Sequence, residues 1–176
     1  PTATPVPTAT PTPEGYKTPI PTPLPDNLLL NPGFETWNGT SFASWTQDAS
    51  STYTVETGTV HSGSNSAKLT TTVDPGAYGK GFYQDVPVTV GETYEFSAWL
   101  WSLQTGSMGI TVSWFDGVSP KYWDTPTSTA AGQWQQFSVQ STAPAGTISA
   151  RAWIRGFLNT APCGYGDDAQ FRVVDP

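Results

Sequence analysis

The stretch that decides the fold is Thr93-Tyr94-Glu95-Phe96-Ser97-Ala98-Trp99-Leu100-Trp101. At the two-residue period of a strand, Tyr94, Phe96, Ala98 and Leu100 share one face, the face a hydrophobic core asks for. Glu95, Ser97, Trp99 and Trp101 share the other. That second face starts polar and ends in two tryptophans, on the side a half-buried strand gives to water. A core strand with an aromatic pair on its far face predicts a protein that binds something flat.

Working outward, helix signals are scarce, whereas strand signals recur at short spacing between Gly, Pro, Asn and Asp. The predicted strands are Asn27–Leu30, Tyr53–Thr57, Ser66–Val73, Gly81–Val86, Glu92–Ser102, Gly109–Phe115, Gln133–Ser141, Ile148–Phe157 and Asp168–Val173. Turn clusters such as Asp74-Pro75-Gly76, Asp116-Gly117 and Ala143-Pro144-Ala145-Gly146 divide them. About nine strands in roughly 150 residues predict an all-β fold, a two-sheet antiparallel β-sandwich of the jelly-roll kind.

The first 25 residues are of another character. They hold nine prolines and seven threonines, which favours an extended polyproline II arm over any packed structure. Fully extended, the arm would span about 75 Å. The predicted organisation is therefore 1–25 as an arm or linker and 26–176 as a single sandwich domain. The formal net charge is −7, and Glu14 and Lys17 cancel within the arm, so the domain carries it all. Nucleic acid and anionic membrane surfaces need Lys and Arg, and an acidic surface argues against both. No apolar run approaches the roughly 20 residues of a membrane span. The chain starts at Pro1 rather than Met and reads as a mature or truncated segment. The single cysteine, Cys163, has no internal partner and reads as a small buried or loop residue.

Four pieces of sequence then line up in a characteristic order. Asn27-Leu28-Leu29-Leu30-Asn31-Pro32-Gly33-Phe34-Glu35 opens the domain, and His61-Ser62-Gly63 leads into Ser66-Ala67-Lys68-Leu69. Tyr83-Gln84-Asp85-Val86-Pro87-Val88 precedes Gly91-Glu92-Thr93 and the strand quoted above. Trp134-Gln135-Gln136-Phe137 leads to Gly166-Asp167-Asp168-Ala169. The set resembles carbohydrate-binding modules of the family 4, 9 and 22 group over nearly all of residues 27–174. A bulkier aliphatic is usual where Ala169 stands.

The resemblance implies a structural calcium ion held near the N-terminal segment by Glu35, Gly33, Ser64, Lys68 and one of Asp167 and Asp168. Calcium takes six to eight oxygens, typically carboxylates and carbonyls from bent loops, and Pro32-Gly33 and the loop 61–66 are such bends. Strand parity favours Asp167: if Phe171 and Val173 face the core, Asp167 and Ala169 do too, and a buried carboxylate asks for a cation. Asp168 would then face solvent. The alternative is a carboxylate that accepts backbone N–H groups with no metal.

Among eight tryptophans, Trp134 and Trp45 read as structural, Trp45 as a plug at one end of the sandwich. Trp99, Trp101 and Trp153 read outward. In Ala150-Arg151-Ala152-Trp153-Ile154-Arg155, alternation sets Arg151, Trp153 and Arg155 on one face. An indole flanked by planar donors suits a sugar, with an apolar C–H face and a rim of hydroxyls. The same tryptophans would equally serve under a long loop or as arginine-stacked surface filler. Tyr122 and Trp123 are candidates for a cleft wall, and Gln84 for a hydroxyl donor. Catalysis has little to build on. His61 is the only histidine, no nucleophile elbow stands beside it and zinc-ligand clusters are missing. Glu95, on the face of Trp99, is the one carboxylate to examine for glycoside hydrolysis.

Two functions of different class follow. The first is a noncatalytic polysaccharide-binding module of a secreted or surface protein. It stacks sugar on Trp99, Trp101 and Trp153, with Arg151, Arg155 and Gln84 orienting it. The second is a structural subunit of an extracellular filament or surface layer. There the Pro/Thr arm, O-glycosylated or not, contacts a neighbouring copy, with Tyr16–Leu24 as the better contact.

Overall fold

The computed structural model describes residues 27–117, 120–122 and 130–174. The arm 1–25, on which the subunit-contact reading rests, lies outside the described residues, and so does Trp123. Ten strands run in chain order: β1 (Thr46–Gln47), β2 (Ser51–Glu56), β3 (Ser66–Thr71), β4 (Lys80–Pro87), β5 (Thr93–Ser102), β6 (Met108–Phe115), β7 (Pro120–Tyr122), β8 (Trp134–Thr142), β9 (Ser149–Gly156) and β10 (Pro162–Val173). They form two five-stranded antiparallel sheets, ordered β1-β4-β9-β6-β7 and β2-β3-β10-β5-β8. Apart from the hairpins β2–β3 and β6–β7, sequential strands alternate between sheets, the wiring of a jelly roll. No helix among the described residues is long and apolar enough to cross a membrane.

Alternation builds the core as the sequence predicts. Tyr94, Phe96, Ala98 and Leu100 of β5 are buried against Met108, Ile110, Val112 and Trp114 of β6, Ala150, Ala152 and Ile154 of β9, and Phe82 of β4. One end is closed by aromatic packing. Phe34 meets Phe42, Phe82 and Trp45 at ring-centroid distances of 5.2, 5.6 and 4.9 Å. Trp45, buried as expected, donates its indole N–H to the Asn31 carbonyl.

Three expectations change. Residues 27–30 are not a strand; they are pinned singly, Leu28 N–H to the Phe171 carbonyl and Leu30 to the Gln84 amide. Strand β10 begins six residues before its predicted start, through Pro162-Cys163-Gly164, which composition marks as a turn. It holds there because the chains approach so closely that a Cβ at Gly164 would collide with the Trp101 carbonyl oxygen. Finally, a bulge between Asp167 and Gln170, with Asp168 at φ 44°, inverts the parity of everything before it. Cys163 is fully buried, the first of the two places the sequence offers it.

Candidate functional site

Trp153 and its arginines face outward from the β4–β9–β6 sheet. Opposite them on β4, alternation puts Phe82, Gln84 and Val86 inward and Tyr83 and Asp85 outward, in register with Trp153 and Arg151. The result is a layered stack. Tyr83 lies 4.3 Å from Trp153, the Arg155 guanidinium covers Trp153 at 4.0 Å, and Arg151 lies 3.7 Å over Tyr83 and 4.6 Å over Phe115. Arg151 is held by a two-pronged pair with Asp85, at 2.7 and 3.0 Å. Arg155 donates to the carbonyls of Tyr78 and Gly79, so it fixes the loop that precedes β4. That loop turns at Gly79, whose φ of +68° and contact with Phe157 leave no room for a side chain. It carries Tyr78, 67% exposed, to the margin of the stack. Trp153 itself is only 5% exposed, and its indole N–H has no hydrogen-bond partner among the described residues. A surface of rings and planar cations with an unpaired donor beneath is well matched to a polyhydroxylated ligand with apolar ring faces.

The sequence reading places Trp99 and Trp101 with Trp153; the structure separates them. Trp99 and Trp101 face outward from the other sheet, on the opposite side of the sandwich. Trp134 is there as well, not in the core, 5.9 Å from Trp101 and nearly perpendicular to it. His61 stacks on Trp99 at 3.9 Å and pairs through Nδ1 with Asp168 at 2.6 Å. Gln84, expected to meet a sugar, is instead buried. Its Oε1 accepts Leu30 N–H and its Nε2 donates to the Leu30 carbonyl, tying the N-terminal segment to β4. Tyr122 ends β7, its backbone paired with Ser113. Glu95 is held between Arg172 and Gln140, and the hydrogen bond from Gln140, with the Arg172 cation, keeps its carboxyl below the ordinary range. That is the opposite of what a general acid needs. Tyr78, Tyr83 and Asp85 are the residues sequence reasoning missed. For the last two the signal was present, since an inward Phe82 and Val86 force Gln84 inward and its neighbours out.

The predicted metal ligands gather at one corner. A side chain at Gly33 would meet Asp168 Oδ1 at 3.6 Å, Glu35 Cγ at 3.9 Å and Asp167 Oδ1 at 4.0 Å. Asp167 is fully buried, as expected, but the bulge turns it toward the Trp99 face, where the His61–Ser62 loop covers it. Burial, opposed by N–H bonds from Ser62 and His61 and reinforced by the Asp168 charge, pushes its carboxyl up to about 6. Asp168, expected in solvent, is hydrogen-bonded to His61 and to Ser62. Glu35 accepts the N–H groups of Ser64 and Asn65. Lys68 lies inside the ladder between β2 and β10. Hard carboxylate oxygens on bent backbone fit calcium in kind. Among the described residues, however, no three acidic, histidine or cysteine side chains converge on one ion position.

A jelly roll with an aromatic and arginine-lined sheet face is the architecture of a sugar-binding module. The model of the carbohydrate binding domain family matches residues 26–154, and the chain belongs to that family. Solved structures agree on the fold. The CBM22-1 xylan-binding domain of Paenibacillus barcinonensis Xyn10C is 21% identical with a TM-score of 0.65, the match covering 86% of this chain and 97% of that one. The C-terminal family 22 module of Clostridium thermocellum Xyn10B is 19% identical with a TM-score of 0.62, covering 85% and 96%. A family 61 module solved with β-1,4-galactotriose is 20% identical with a TM-score of 0.54, covering 85% and 99%. No curated protein sequence matches the chain. The domain is a carbohydrate-binding module, and carbohydrate is its class of partner.

Proposed function

We propose that this module binds a β-linked polysaccharide of the xylan type, as part of an exported protein, along the outward face of β4, β9 and β6. The observation that carries this is the stack of Tyr83, Trp153, Arg151 and Arg155, with Tyr78 exposed at its margin. A sugar ring lies on the exposed Tyr78 side chain, which the stack beneath supports, and Arg151 and Asp85 bond the hydroxyls. Family membership supports the ligand class, and the xylan-binding modules of the same fold suggest the polymer. The domain works by binding alone. Retardation in gels containing xylan, mixed-linkage β-glucan or galactan tests it. Xylan is expected to retard the protein, and Tyr78→Ala and Arg151→Ala each to weaken binding about ten-fold. Binding to none of the three, or variants that bind like the parent, would sink the reading.

The same reading includes a calcium ion at the Glu35–Asp167 corner, with carbonyls of residues 33 and 61–66 completing its shell. It is supported by the full burial of the Asp167 carboxyl, where a negative charge asks for a cation, and by the family resemblance. Its role is to hold the N-terminal segment and the 61–66 loop to β10, not to touch sugar.

A further inference from the structure

The outward face of β5, β8 and β10 is a second surface, with the thickness of the sandwich between it and the face just assigned. Its composition is unusual. Among the described residues of the sheet β2-β3-β10-β5-β8, the outward positions are aromatic, hydroxyl-bearing, amide or charged, except for Pro162 at the start of β10. None of the large exposed hydrophobic residues of the molecule stands in these strands. The larger apolar surface of this face is the group of half-buried rings Trp99, Trp101 and Trp134.

A hollow of about 220 Å³ opens on this face between the N-terminal segment and the three strands. Ser97, Gln136 and Gln170 line it, and none of the three side chains is hydrogen-bonded among the described residues. Ser97 is 3% exposed, and it lies at the floor of the hollow. Asn27 and Asp168 complete the polar lining but are committed, Asn27 to Ala169 and Phe171, Asp168 to His61 and Ser62. Trp99 stands beside Ser97 on β5 and directly across from Gln136 on β8. Its ring carries His61, and Trp134 stands nearly perpendicular to that pair at 5.6 Å, so the hollow has an aromatic flank.

Uncommitted amides and a hydroxyl around a hollow whose apolar lining is small, Pro32 and Ala169, with aromatic rings at its flank, suit a single sugar ring. The geometry points to this hollow as a second saccharide site, taking one pyranose unit of a glycan through Ser97, Gln136 and Gln170 against Trp99. The module is then two-sided, with one face for the length of a polymer and the other for a single residue of a second chain.

The test is a titration of the full, ¹⁵N-labelled chain with xylohexaose, cellohexaose and mannohexaose, following side-chain amide and indole signals. The Gln136 and Gln170 amides and the Trp99 indole are expected to shift saturably with at least one probe. Gln136→Ala with Gln170→Ala should weaken that event about ten-fold or more, and both side chains are free enough that the fold is unaffected. The Trp153 indole reports the first face separately, so failure of either site is seen by itself. The proposal is overturned by absent shifts at Gln136 and Gln170, or by unchanged affinity in the double variant. Loss of the shifts in Tyr83→Ala, which lies on the other face, overturns it too. So do shifts that follow protein concentration without sugar, which would assign the hollow to a protein contact.

Discussion

The two outward faces of this sandwich use the same side chain differently. On β9, Trp153 is flanked by arginines two residues away on each side and capped by Tyr83, and it is nearly buried. On β5, no arginine or lysine among the described residues stacks on Trp99 or Trp101; their neighbours are Trp134, Gln136, His61 and the buried Asp167, and both remain half-buried. A tryptophan at an outward position therefore has no fixed role. Cations turn it into one layer of a preformed stack, while amides and hydroxyls leave it as the edge of a polar surface.

The largest test of that contrast is truncation. Trp153→Ala removes the middle of the stack and should cost about 3 kcal/mol in denaturant unfolding and abolish xylan retardation. Trp99→Ala removes a half-exposed ring and should cost about 1 kcal/mol while leaving xylan retardation unchanged. Equal losses from the two substitutions, in stability or in binding, would erase the distinction between the faces.

Much of this was legible in the sequence, and the exceptions have physical causes. Period-two alternation found the long strands and the inward set Tyr94, Phe96, Ala98 and Leu100. It also found that Trp99, Trp101 and Trp153 point away from the core. It could not say from which sheet they point, because pairing of β9 with β4 and β6, and of β5 with β8 and β10, is a long-range property. That is why the three were joined into one surface. Strands β1 and β7, of two and three residues, are too short to show a period. Asp167 was assigned inward by counting back from Phe171, and one bulged residue at Asp168 reverses such a count. Gln84 departs from its expected role as a hydroxyl donor for a simpler reason: it stands at an inward position of β4 and serves as the clamp for Leu30.

A smaller effect separates the faces through the metal corner. Asp167 and the 61–66 loop border only the Trp99 face. Calcium bound to the native state alone stabilises it by mass action, so calcium at about 100 times its Kd should add about 2.7 kcal/mol, lost on chelation. Thermal unfolding with and without chelator measures this. Chelation should also disturb the His61 and Trp99 signals while leaving xylan affinity unchanged. An unfolding temperature indifferent to calcium would leave the corner as carboxylates bonded to backbone N–H groups alone.

The smallest effect concerns the far end of the Trp99 face, where Glu95 accepts from Gln140 of β8 and Arg172 of β10 and so ties three strands together. These partners hold its carboxyl below the ordinary value of 4.5, the hydrogen bond from Gln140 contributing most and Arg172 the rest, against the cost of burial. A depressed carboxyl means that the folded chain binds its proton less readily than the unfolded chain. The stabilisation is therefore present at pH values above 4.5 and is lost as pH falls through the folded-state value. Glu95→Gln should be less stable than the parent at neutral pH by no more than about 1 kcal/mol, since the pair is only partly shielded from water. The gap should close on acidification below the ordinary range, when both side chains are neutral. Amide exchange along β8, the edge strand that Glu95 anchors through Gln140, should quicken in the variant at neutral pH, with no change in β4 or β9 on the opposite sheet. A gap that persisted at low pH would show that Glu95 contributes through packing rather than charge, and would bring this end of the face closer in kind to the stacked side chains around Trp153.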